Sequence, residues 1–172
     1  TAPLNAAKIA LKRGDKTLII SADLASFYDT VAPSFMVSDQ LVAELKAHGA
    51  QQADLDEYRR ATTSLLDAYQ RFREEASRRA ATSIKVGVPI GALTSRVVAN
   101  LALAPLDSHI AAQRDVLSYR RYVDDLPIVA KADNAPRGLV DTMRRFLPLL
   151  EGNDHVLRLN VHALGRVGSE FQ

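Results

Sequence analysis

The hydrophobic pattern changes period several times along the chain, and each change marks an element. Residues 16–24, KTLIISADL, form a β-branched, apolar run entered through the turn signal Gly14-Asp15, which predicts a buried strand. A short AKIALKR segment ahead of it reads as helix. ASFYDTVAPSF then breaks the pattern, with Pro33 and Ser34 suiting a loop and the first turn of the next element. From about Ser38 to Thr82 there is neither proline nor alternation. Leu41, Leu45, Tyr58, Leu65, Leu66, Tyr69 and Phe72 recur there at three- and four-residue spacing among charges, which predicts two or more amphipathic helices with a break near Gly49.

The second half returns to strands. KVGVPIGALTS, 85–95, is a glycine and proline loop, and RVVANLALAPLDSHIAAQ after it reads as a helix buried on most sides, with Pro105 inside it or at a break. VLSYRRYV, 116–123, and LPIVAK, 126–131, are strand-like runs on either side of Asp124-Asp125, hence a hairpin turning on those two residues. Asp133 or Asn134 is the expected cap, with Pro136 in the first turn, of an amphipathic helix reaching about Leu150, and HVLRLNV, 155–161, alternates as a final strand. The order is β-α-β-β-α-β: an α+β, ferredoxin-like split-βαβ fold over residues 1–172. Its helices pack on one face of an antiparallel sheet, extra helices at 38–85 are inserted after the first strand, and that strand lies in the middle beside the hairpin.

Composition narrows the chemistry. The 172 residues are 47% hydrophobic and 24% charged, ordinary for a soluble domain. VVANLALAPL at 97–106 is too short to cross a bilayer, and TAPLNAAKIALKR lacks the regions of a signal peptide, so no membrane partner and a cytoplasmic location are expected. The absence of cysteine excludes disulfides, thiolate metal sites and cysteine nucleophiles, leaving Asp, Glu, His or backbone oxygens to hold any metal. A net charge of +2 is too small to be a nucleic-acid signature taken alone. Arg59, Arg60, Arg71, Arg73, Arg78, Arg79 and Lys85 nevertheless crowd mid-chain, where they suit either a polyanion or a solvated helix face interleaved with Glu57, Glu74 and Glu75.

The carboxylates Asp23, Asp124 and Asp125 are the strongest chemical signal. Asp-Asp is common in turns because aspartate bonds its own backbone there. Here, however, the pair sits between apolar strands, and Asp23 closes an independent strand that the fold brings near. Acids a few ångströms apart repel unless a cation lies among them. Two Mg²⁺ ions roughly 3.5–4 Å apart would remove that repulsion and supply what nucleotidyl transfer needs, and Mn²⁺ takes the same oxygen ligands.

Three motifs in order carry a family resemblance. YVDD at 122–125, preceded by Arg121, resembles motif C of reverse transcriptases; ADLASFYDTV at 22–31 resembles their motif A; GVPIGALTSRVVANLALAPLD at 87–107 resembles motif B. The resemblance implies a palm domain acting as an RNA-directed DNA polymerase, with dNTP, an RNA template and a DNA primer as partners. It makes Asp23 and Asp124 the principal metal ligands, Asp125 a supporting carboxylate and the Leu24 carbonyl a further ligand. It places Tyr28 as a steric gate against the sugar, beside Phe27, which also reads as a core aromatic. Pro89, Ile90 and Gly91 would lie at the nucleotide. Tyr122, Ser95 and Arg96 would meet nucleic acid, although Ser95 also reads as a helix cap and Arg96 as solvating a helix face.

The sequence departs from the pattern in three places. Ile90 stands where many reverse transcriptases have glutamine, a change similar to the bacterial abortive-infection and antiphage-defence branch, some of whose members polymerise DNA without a template. The lysine that often follows an asparagine in the last palm strand is replaced by Ala163 after Asn160; His162 is the alternative general acid, and Arg166 comes after it. The fingers strands and thumb that the resemblance implies do not fit in 172 residues, so a palm-centred piece of a longer chain is expected. Alternatives are a template-independent DNA polymerase of a phage-defence system, a catalytically silent palm, and a single-strand RNA-binding module of the same topology, which would need exposed aromatics such as Tyr119 and Tyr122 on its sheet. Tyr28 argues against an RNA polymerase, which needs space at the sugar.

Overall fold

A computed structural model of the chain describes residues 2–132, 138–147, 150–152 and 157–159. Helix α1 (Ala2–Lys12) leads into strand β1 (Thr17–Asp23), followed by the single turn α2 (Phe27–Thr30) and a short 3-10 helix (Pro33–Val37). Helices α3 (Asp39–Ala47), α4 (Gln52–Ala80) and α5 (Leu93–Ala111) precede strands β2 (Val116–Tyr119) and β3 (Asp125–Lys131), helix α6 (Leu139–Phe146) and the short strands β4 (Leu150–Gly152) and β5 (Leu157–Leu159). The chain is α+β. No helix among the described residues is long and apolar enough to cross a membrane.

Two compact units divide it. One takes the chain up to Ala25 and resumes at Leu106; the other runs Ser26–Pro105 among the described residues. The first holds an antiparallel sheet ordered β1-β3-β2. β3, not β1, is therefore the central strand, which corrects the expectation that the first strand would lie in the middle. The composition explains it: Leu126, Ile128, Val129 and Ala130 are all buried, whereas β1 buries only Ile20 fully and exposes Ile19, Ser21 and Asp23. Such alternation fits a strand with one wet face, and a continuous apolar run fits one covered on both.

The described part of the last strand is β5, which pairs with β4 in a separate two-stranded sheet. The expected 155–161 strand thus does not join the main sheet among the described residues. β4 occupies what reads from the sequence as the end of a helix, because α6 stops at Phe146. That helix starts after Gly138, and the anticipated caps Asp133 and Asn134 lie outside the described residues.

The hairpin strands are also shorter than their apolar runs. β2 ends at Tyr119, and Pro127 on β3 supplies the reason. In an antiparallel ladder a hydrogen-bonded pair exchanges two bonds. Arg120 N–H donates to the Pro127 carbonyl at 3.2 Å, but proline has no N–H to return, so pairing lapses until Tyr122 bridges Asp125.

In the second unit the helical stretch breaks at Gly49, whose φ of 96° only glycine adopts readily. Ser38 caps α3 by accepting from Leu41 N–H at 3.3 Å, and the Asp54 carboxylate caps the start of α4 by accepting from Gln51 N–H at 3.0 Å. Tyr58 on α4 donates to the Met36 carbonyl at 2.7 Å, which ties the long helix to the 3-10 turn. Pro105 does lie inside α5, where it cannot donate to Leu101.

Leu126 is fully buried beside the acidic end of the β1–β3 ladder. Replacing it with alanine should cost about 2–5 kcal/mol in urea unfolding. A loss below about 1 kcal/mol would mean this end of the sheet is not packed as described.

Candidate active site

β1 and β3 pair in register over their whole lengths, from Thr17 opposite Lys131 to Asp23 opposite Asp125. Directly opposed residues share a sheet face, so Asp23 and Asp125 stand on the same, exposed side. The ladder closes one step further on, where Leu24 N–H donates to the Asp124 carbonyl at 3.3 Å. Asp23, Leu24, Asp124 and Asp125 are thereby gathered at one end of one sheet in the first unit. Like charges directly opposite destabilise a sheet, and a cation at this end would offset that cost.

One detail differs from the sequence-based expectation. The hairpin turns on Val123-Asp124, with Tyr122 N–H donating to Asp125 O at 3.0 Å and Asp125 N–H returning to Tyr122 O at 3.1 Å. Asp125 is therefore the first residue of β3 and the direct partner of Asp23, while Asp124 meets β1 through its backbone. Among the described residues no three Asp, Glu, His or Cys side chains are grouped as a metal site. The donor set itself, hard carboxylate and carbonyl oxygens, fits Mg²⁺ or Mn²⁺.

The turn is strained. Val123 has a φ of 58°, a conformation that two-residue hairpins favour but that glycine or asparagine normally fills. A β-branched residue there is an outlier costing about 1–3 kcal/mol. Arg121 grips it: its Nη1 donates to the Val123 carbonyl at 2.8 Å. The same guanidinium forms a fork on Asp107 of α5, Nε to Oδ1 at 2.8 Å and Nη2 to Oδ2 at 2.7 Å, and its side chain is only 8% exposed. Tyr119 completes the cluster by donating to Asp107 Oδ1 at 2.6 Å. Burial first, and then this bond to a carboxylate, push its phenol well above the ordinary tyrosine range, so it remains a donor.

The remaining expected site residues lie in the second unit. Phe27 is buried, as the core-aromatic reading expects, and its ring meets that of Tyr28 at 6.0 Å and 60°. Tyr28 itself is half-buried, and its carbonyl accepts from Val88 N–H at 2.8 Å. Gly87 N–H donates to the Val31 carbonyl at 3.0 Å, and the Gly87 carbonyl accepts from Arg73 Nη1 at 3.3 Å. The loop before α5 is thus strapped to α2 and α4. Beyond the straps, Pro89 is half-buried, Ile90 is 75% exposed, and Gly91, with φ of 90°, has open space beside its α-carbon.

Ser95 corrects a second expectation. α5 starts at Leu93, so Ser95 is inside the helix rather than capping it. It is fully buried and donates to the Tyr69 hydroxyl at 3.3 Å. Arg96 and Tyr122 are exposed. The basic stretch on α4 is partly neutralised within the helix, because Arg78 and Arg79 both pair with Glu75. Those bonds hold the Glu75 carboxyl below the usual carboxylate range. His162, with Asn160, Ala163 and Arg166, lies outside the described residues.

Sequence reasoning placed Arg121 and Asp107 within motifs but did not pair them, and it stressed Gly91 where Gly87 carries the tighter constraint. An arginine one position before the tyrosine of YVDD was the available signal. No protein-family model matches the chain, and comparison with curated proteins and with solved structures likewise finds no match.

Gly87 and Gly91 allow a direct test of the strapped loop. A Cβ on Gly87 would sit 2.9 Å from the Asp29 carbonyl oxygen, and its φ is 103°. Gly87→Ala should lose clearly more stability than Gly91→Ala, which adds only the cost of a positive φ, about 1–2 kcal/mol. Equal losses in thermal unfolding would show that the strap is not close-packed.

Proposed function

We propose that the protein is the catalytic palm of an RNA-directed DNA polymerase, a reverse transcriptase. The observation that carries this reading is the terminal pairing of Asp23 with Asp125 beside Asp124 at an exposed sheet end, which an uncharged ligand would not relieve. The order of the three motifs supports it as well. In this reading the split-βαβ palm is the scaffold, and the chain's own contribution is to hold four oxygen-bearing residues together on one ladder. Asp23, Asp124, Asp125 and the Leu24 carbonyl would hold two Mg²⁺ ions, or Mn²⁺. When bound, such ions activate a primer 3′-hydroxyl and neutralise charge on the dNTP phosphates.

The motif resemblance supplies tasks for several of the remaining residues. Tyr28 screens the sugar, and the Pro89-Ile90-Gly91 loop offers an approachable backbone to the nucleotide. Tyr122 in the first unit and Arg96 in the second are each exposed, and each would contact nucleic acid in its own unit. The exposed Ile90 side chain cannot hydrogen-bond a base or nucleotide, and this favours a second form of the same chemistry: template-independent synthesis in phage defence. The RNA-binding alternative is weaker, because the Tyr119 hydroxyl is committed to Asp107 and only Tyr122 of the pair presents an exposed ring.

The test is incorporation of labelled dNTP with Mg²⁺, on a primed RNA template and without template, beside the Asp124→Ala, Asp125→Ala double variant. Template-dependent incorporation that falls to background in the variant is the expected result. Template-free incorporation with the same loss would select the defence-type polymerase. Activity that survives removal of both aspartates, or nucleic-acid binding with no incorporation at all, would overturn the polymerase reading.

A further inference from the structure

The cluster behind the turn has a role beyond stability, and the inference rests on the polymerase reading for its catalytic consequence. The geometry points to Arg121 and Asp107 as a positioning pair that holds Val123 in its left-handed conformation and so sets where the Asp124 and Asp125 carboxylates stand. Three observations converge on it. Val123 carries a backbone conformation that its own side chain disfavours, so a contact from outside the turn can add to the Tyr122–Asp125 pair that closes it. Arg121 is the neighbour that does so, because Nη1 reaches the Val123 carbonyl at 2.8 Å while Nε and Nη2 are both occupied by Asp107. Its guanidinium is nearly buried and planar, so the fork fixes its orientation as well as its place.

The linkage runs from helix to carboxylate in short steps. Asp107 is on α5, where Tyr119 Oη also donates to it, and this third donor fixes the rotation of the carboxylate that receives the fork. The Val123 carbonyl belongs to the peptide that leads into Asp124, so holding that oxygen holds the peptide plane from which Asp124 departs. Asp124 and Asp125 come next in the chain, the latter locked opposite Asp23. Pro127 adds to the need for such a hold: with no N–H to return to Arg120, the hairpin has one ladder bond fewer behind the Tyr122–Asp125 pair that closes its turn. Lysine at 121 would supply charge without the fork, which reaches two acceptors at once.

The test compares the unaltered protein with Arg121→Met, Asp107→Asn and Arg121→Lys by two readouts. The first is the strong intra-residue amide–Hα NOE that a positive φ gives at Val123. The second is paramagnetic broadening of the Asp124 and Asp125 amides on Mn²⁺ titration, followed by dNTP incorporation. The NOE should weaken in Arg121→Met and Asp107→Asn, with both needing about 10–100-fold more Mn²⁺ for equal broadening. kcat should fall while KM for dNTP is unchanged, and Arg121→Lys should recover only part of each.

A Val123 NOE and Mn²⁺ titration unchanged in Arg121→Met would overturn the pairing. If that variant does not fold by circular dichroism, Asp107→Asn, which keeps the volume, decides by the same readouts. Failure of the polymerase reading looks different: the unaltered protein would neither bind Mn²⁺ nor incorporate dNTP. The Val123 NOE would then still show whether Arg121 holds the turn.

Discussion

The register between β1 and β3 is the constraint on which the candidate site depends. Side chains alternate across a strand, so a slip of one residue would send Asp23 to the covered face and lift Ile20 out of it. Burial of Leu126 and Ile128 opposite Ala22 and Ile20 makes that slip costly. The acids are therefore held opposite each other by apolar pairs further down the ladder, not by any attraction of their own. This is how a sheet can carry an electrostatically unfavourable arrangement: its cost is local, and the packing that enforces it is spread over the whole strand pair.

A second, smaller constraint acts on the turn. The register fixes Asp125 but leaves Asp124 on a hairpin weakened by Pro127. The fork of Arg121 on Asp107, with its third bond to Val123, compensates from outside the ladder. A nearly buried guanidinium is tolerated because its donors meet a carboxylate and a carbonyl, and because Tyr119 shares the same carboxylate. The site end of the sheet thus joins an exposed acidic surface to a satisfied polar cluster.

The second unit obeys a different logic. Gly87, Val88 and Arg73 tie the start of the loop to α2 and α4 through backbone carbonyls, and the loop is then released at Ile90 and Gly91, which are exposed. A rigid root with an open tip is what a loop needs if it is to present backbone to a ligand. Here the glycine that the motif resemblance emphasised has room around it, and the close-packed one is four residues earlier.

Much of this was legible in the sequence because it depends on short-range pattern. The β-branched runs announced β1, β2 and β3, the three- and four-residue spacing announced α3 and α4, and the acid pair between apolar shoulders announced the hairpin. Three things were decided only in three dimensions. The central position went to β3 because strand order depends on which strand is covered on both faces. The turn moved back to Val123-Asp124 because β2 and β3 pair with Tyr119 opposite Ile128, a register that puts Tyr122 opposite Asp125. Ser95, polar and next to a loop, went to the interior because α5 begins two residues before it and Tyr69 meets it there. The chain's own order determines which residues are acidic, apolar or rigid; which acid faces which, and what holds it there, comes from pairings between segments far apart in the chain.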